Sequence, residues 1–118
     1  TYIDDIVDGI NRIILKPASK NKSWDAINPD LASSSAPWKV YNIGNNKPVE
    51  LERYIEILEK ELKIKAKKEF LPMKSFDMES TFADISKIND DFSFIPRVSI
   101  EEGIKEFVKW YLSYYGKN

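Results

Sequence analysis

A chain of 118 residues has room for one domain, and its 18 basic and 19 acidic side chains leave a net charge of −1, so it carries no general field for nucleic acid or an anionic membrane. It has no cysteine and no histidine, which excludes a disulfide framework, a thiolate zinc site, a Ser-His triad and the commonest general base. Hydrophobic residues make up 42% and charged residues 31%; no apolar run approaches the roughly 20 residues that span a bilayer, and an ordinary globular, cytoplasmic chain is expected.

The sequence begins at Thr1 and not at Met, and a helical pattern starts almost at once, so the chain reads as cut from something longer. Ile3, Ile6, Val7, Ile10, Ile13 and Ile14 recur at helical spacing and predict a helix over residues 3–15, ended by Pro17. Asp4, Asp5 and Asp8 fall in its early turns, where carboxylates suit the positive end of the helix dipole. A metal would need a second cluster to complete its oxygen shell, and none is visible. Residues 16–37 are rich in Ser, Asn, Lys and Pro and lose all period, which predicts a long loop with Trp24 and Ile27 as its anchors.

Val40, Tyr41 and Ile43 mark a short strand over residues 39–43, apolar enough to be covered on both faces as in a parallel sheet. It stops at Gly44. Pro48 then suits the first position of a helix over residues 48–62, with Leu51, Tyr54, Ile55, Leu58 and Leu62 on one face and Glu56–Lys60 as an i,i+4 pair. The basic cluster from 60 to 68, interleaved with Glu61 and Glu69, reads as a solvated helix end. Residues 66–71 read as a second strand closed by Pro72, and Thr81 and Phe82 as a brief third. Asp84 can cap a short helix through Ile88, and Phe92, Phe94 and Ile95 alternate imperfectly before Pro96.

The last helix has the clearest start. Ser99 and Glu102 form the S-x-x-E capping box, and Gly116 is a plausible stop. Ile100, Ile104, Phe107, Val108, Tyr111 and Tyr115 form its stripe, with Trp110 and Tyr114 alongside, which reads as a core helix before it reads as a partner-binding surface. The expected fold class is α/β, a mixed α+β fragment. A strand–helix unit at 38–62 is followed by a second part at 66–118 across a soft boundary near 63–65.

Residues that carry chemistry are sparse. Gly9, Gly44, Gly103 and Gly116 stand alone, so there is no glycine-rich cradle for a nucleotide phosphate. One polar constellation remains, FLPMKSFDMESTFAD over residues 70–84. After a strand ends at Pro72, Lys74 and Asp77 stand three residues apart; a cation there can pair with a phosphate, and a carboxylate can accept from ribose hydroxyls. On the residues alone this is a surface loop with two charges.

SSSAPWKVYNIGNNKPVEL at residues 33–51 resembles the C-terminal part of the UDP-glucuronate 4-epimerases, within the extended short-chain dehydrogenase/reductase family that includes UDP-galactose 4-epimerase. TYIDDIVDGI at 1–10, FLPMKSFDMESTFADISKI at 70–88 and PRVSIEEGIKEFVKWYLSYY at 96–115 resemble three further family segments in the same order, the second being like L-P-M-Q-x-G-D-V-x-x-T-x-A-D. The resemblance implies an enzyme that holds NAD on an N-terminal Rossmann domain, oxidises C4 of a UDP-sugar and returns the hydride to the other face. A Tyr-x-x-x-Lys pair and a Ser or Thr carry the proton chemistry. None of the six tyrosines here has a lysine four residues on.

The chain is therefore expected to be the C-terminal, substrate-binding part of such an enzyme, lacking most of the Rossmann domain. It would be inactive alone and contain no catalytic, NAD-binding or metal-binding residue. By position, Lys74 matches a residue near the UDP diphosphate, Asp77 one at the UDP ribose and Thr81 one near the sugar. Phe76 stands where the family usually has Gly, and Lys74 where it often has Arg or Gln. The implied reaction is UDP-glucuronate to UDP-galacturonate in polysaccharide biosynthesis, by a cytoplasmic homodimer without nucleic-acid or membrane partners. The alternatives are another UDP-hexose epimerase, a sugar-nucleotide dehydratase, or a non-catalytic interaction module with an epimerase-derived core. A missing domain would also leave apolar surface exposed around the 48–62 helix and its strand.

Overall fold

The computed structural model describes residues 1–78 and 80–116. Four helices follow in order: α1 (Ile3–Ile14), α2 (Leu51–Leu62), α3 (Ser86–Phe92) and α4 (Ile100–Tyr115). Among the described residues the three expected strands do not form; the one ladder contact is an isolated antiparallel bridge between Ser33 and Lys39, with the Val40 amide donating to the Ala32 carbonyl at 2.9 Å. The fold is thus largely helical, and the α/β expectation is corrected to that extent. The physical reason is pairing. Val40, Tyr41 and Ile43 suit residues 39–43 to a strand, but a strand exists only when a neighbour accepts and donates along its length.

The helices hold two separate cores. Ile57 of α2 packs with Ile104 and Val108 of α4, flanked by Leu58, Leu62, Ile100 and Leu112. Ile85, Ile88 and Phe94 form the other, against Ile13, Tyr41, Ile43, Ala83 and Phe92. The α2 face differs from the expected one. Leu51 and Tyr54 point outward, 73% and 40% exposed, while Ile57 is 3% exposed. α2 also begins later than Pro48: Glu50 is its N-cap. The expected Glu56–Lys60 pair gives way to Arg53, which reaches Glu56 at 3.4 Å and Glu101 of α4 at 2.9 Å. Lys63 closes α2 in the left-handed region, and the Glu59 carboxylate then accepts from the Ala66 amide and Lys65, each within 2.9 Å.

α3 runs past the expected end at Ile88 to Phe92, and its N-cap is Ile85 in place of the expected Asp84, whose carboxylate accepts from the Ser86 amide and hydroxyl at 3.0 and 2.6 Å. α4 starts as the sequence dictates. Ser99 accepts from the Glu102 amide, Glu102 accepts from the Ser99 amide, and Gly116 ends the helix at φ 62°.

Asp5 is not a solvated dipole partner. It is 6% exposed and accepts from the backbone amides of Arg97 and Val98 at 3.0 and 3.1 Å, tying α1 to the approach of α4. Arg12, held by Asp8 at 2.9 Å, donates to the carbonyls of Phe92 and Ser93 at 2.9 and 3.1 Å. The long loop is anchored differently from expectation. Ile27 is 94% exposed and the Trp24 indole donates within the loop, to Asp30 O at 3.3 Å. Attachment comes instead from Lys87 to Asp30 at 2.8 Å. At the end of the extended segment, a Cβ on Gly44 would lie 2.8 Å from the Ala83 Cβ, so the glycine lets two backbones meet.

Candidate functional site

Lys74, Asp77 and Thr81 lie on the long connection between α2 and α3, all three exposed. The Asp77 amide donates to the Lys74 carbonyl at 3.0 Å, a turn that puts the two residues side by side. Lys74 extends over the Phe76 ring, 5.6 Å from its centroid. Phe76 itself takes its place without left-handed backbone, since among the described non-glycine residues only Lys63 and Ser93 have positive φ. No hydrogen bond joins Thr81 to either partner among the described residues, and the loop brings Lys74 and Asp77 together without it. The chemistry on offer is a point charge beside a carboxylate, open to solvent.

A second polar constellation went unread in the sequence because its members lie about fifty residues apart. Lys39 and the Tyr41 hydroxyl both donate to one carboxylate oxygen of Asp91, the tyrosine at 2.5 Å. The Lys39 ammonium, and then the Tyr41 hydroxyl, hold the Asp91 carboxyl below its ordinary range. Asp91 in turn raises Lys39, and burial followed by that same carboxylate raises Tyr41. Beside them a cleft of about 460 Å³ is lined by residues 16–22, Asp30, Ser33 and Phe92. Each polar partner here is satisfied within the group, as in a partly buried structural network. The lone signal in the sequence is the alternation of Lys39 and Tyr41 along an extended segment, which puts both on one side.

No helix is long and apolar enough to cross a membrane among the described residues. No family model matches the chain. It is 45% identical over 117 residues to Protein CapI of Staphylococcus aureus, covering 99% of this chain and 35% of that protein. UDP-glucuronate 4-epimerase 1 of Arabidopsis thaliana is 41% identical over 119 residues, covering 100% and 27%. A probable UDP-glucuronate 4-epimerase of Rhizobium meliloti is 38% identical over 112 residues, covering 94% and 33%. The chain spans from about a quarter to about a third of the length of these relatives. Along nearly its whole length the chain is thus similar to proteins named UDP-glucuronate 4-epimerases, over that share of theirs.

Proposed function

We propose that this chain is part of an NAD-dependent UDP-sugar 4-epimerase that interconverts UDP-glucuronate and UDP-galacturonate, and that it lends residues to the nucleotide-sugar pocket. The observation that carries the reading is the identity of 36–41% with relatives named UDP-glucuronate 4-epimerases, over nearly all of the chain. In this reading Lys74 supplies a charge to the diphosphate, Asp77 accepts from the ribose hydroxyls, and Thr81 stands near the sugar. Lys74 is a point charge and not a fork, so it attracts the diphosphate without fixing its orientation.

The residues present do not fit a dinucleotide. Gly44 is the single glycine in the turn before α2, and its missing Cβ is filled by Ala83. NAD is therefore assigned to sequence beyond this stretch, and the chain by itself neither binds it nor turns substrate over. Residues 40–43, with Val40, Tyr41 and Ile43 as their apolar members, become a strand of the cofactor domain's sheet when that sheet is present, which restores the α/β class.

The test is kinetic and uses an epimerase-length protein that contains this stretch. Losing a charge-assisted contact costs about 1.5–3 kcal/mol, so Lys74→Ala should raise KM for UDP-glucuronate by at least tenfold, with kcat within about twofold. An unchanged KM removes Lys74 from the pocket. Turnover of UDP-galactose in place of UDP-glucuronate moves the assignment to a different UDP-hexose epimerase.

A further inference from the structure

We infer that Phe76 is a positioning residue for Lys74, its ring holding the lysine ammonium ready for the UDP diphosphate. The inference rests on the reading that puts Lys74 at that diphosphate. Lys74 Nζ lies over the Phe76 ring, 5.6 Å from the centroid, within the reach of about 6 Å at which a ring face attracts a cation. The turn closed by the Asp77 amide on the Lys74 carbonyl, at 3.0 Å, folds the loop back and makes that contact possible. Phe76 belongs to neither core and is 77% exposed, so its ring is open to the cation and not taken up by packing.

A ring suits this role better than a carboxylate. Lysine is a point charge on a flexible four-carbon stem, and fixing it costs rotamer freedom. A ring that already holds the ammonium removes part of that cost before the nucleotide arrives. An acidic partner would hold it too, but would neutralise the charge that the phosphates are to meet. Asp77 stands three residues away and forms no ion pair with Lys74 among the described residues. The ring face attracts the ammonium without cancelling its charge, and the N–H donors stay available for phosphate oxygens.

The ring's place also says how it acts. In the same reading Asp77 meets the ribose, and the base lies beyond the ribose, away from the diphosphate. A ring beside the Lys74 ammonium is on the phosphate side, so Phe76 works through the lysine and is not a stacking face for the base. Both side chains are exposed, which keeps the effect small. It tunes KM and does not decide whether the substrate binds.

The test again uses an epimerase-length protein that contains this stretch. Phe76→Leu keeps an apolar side chain and loses the ring face. It should raise KM for UDP-glucuronate about three- to fivefold, with kcat within about twofold and the unfolding temperature unchanged. Phe76→Tyr keeps the ring and should hold KM within about 1.5-fold of the parent. In a Lys74→Ala background, Phe76→Leu should add no more than about 1.5-fold. A raised KM in Lys74→Ala with the parent KM in Phe76→Leu overturns the inference and leaves Lys74 in the pocket. An equal loss from Phe76→Leu with and without Lys74 makes the ring a direct contact of the nucleotide and overturns it as well. An unchanged KM in Lys74→Ala overturns the reading and the inference together.

Discussion

Asp5 occupies a position where a solvated carboxylate would contribute a few tenths of a kcal/mol through the helix dipole. Its burial and its two backbone donors make it worth more. Asp5→Ala strands the Arg97 and Val98 amides and should cost about 2–3 kcal/mol, read as a lower urea midpoint at unchanged m; a loss under about 0.5 kcal/mol would return Asp5 to the surface. Asp91 makes a prediction in pH. Its carboxyl is held low by Lys39 and Tyr41, so its contribution to stability is complete above the ordinary aspartate value near about 4 and is lost as pH falls below it. Lys39 is raised, so its share is complete below the ordinary lysine value near about 10.4 and is lost as pH rises through the raised one. The stability gap between parent and Asp91→Asn should therefore be flat from about pH 5 to about pH 10 and should narrow on both sides. A gap independent of pH would show that the three groups act by packing alone. Neither residue's role was legible from its neighbours in sequence. The three early aspartates look alike there, and only the return of residues 97 and 98 to α1 separates Asp5 from Asp4 and Asp8.

At the scale of elements, local rules located helices better than faces. The capping box at Ser99 and Glu102 and the stop at Gly116 depend on a few adjacent residues, and α4 obeys both. Ser99→Ala should cost about 1 kcal/mol for the lost cap, measured by thermal or urea unfolding. The buried side of α2 depends on where α4 lies, and periodicity alone favoured Leu51 and Tyr54 over Ile57 because the helix is apolar on more than one side. The structure reverses that ranking. Ile57→Ala should cost about 2–5 kcal/mol through the cavity it leaves, while Leu51→Ala, at 73% exposure, should stay within about 0.5 kcal/mol. Equal costs at the two positions would restore the face expected from the spacing. The strands were the opposite case. Their residues were readable as strand material, but pairing partners are a tertiary property that no local pattern supplies. The candidate loop lay between these cases: the turn at Lys74–Asp77 forms, and no hydrogen bond joins Thr81 to either residue among the described residues.

The whole molecule is more open than its length requires. Its radius of gyration is 19.1 Å, against about 13–14 Å for a compact chain of this size, because the two cores are small and stand apart. Val40, Trp38 and the α1 stripe of Ile3, Val7, Ile10 and Ile14 remain in solvent, and the amides of residues 41–43 donate to no group among the described residues. An open edge that is apolar, flanked by exposed apolar helix, has the properties of a sheet strand without its neighbours. Hydrogen exchange on these three amides therefore separates two views of the molecule. In the 118-residue chain they should exchange at close to the rate of an unstructured peptide. In an epimerase-length protein containing this stretch, the same amides should be slowed at least about a hundredfold, because the ladder they enter is then internal to a sheet. The amides of Ile104 and Val108, already inside α4, should differ much less between the two proteins. If residues 41–43 exchange equally fast in both, the extended segment is a loop in its own right, and the assignment of these residues to a strand of a larger sheet fails while the likeness in sequence stands.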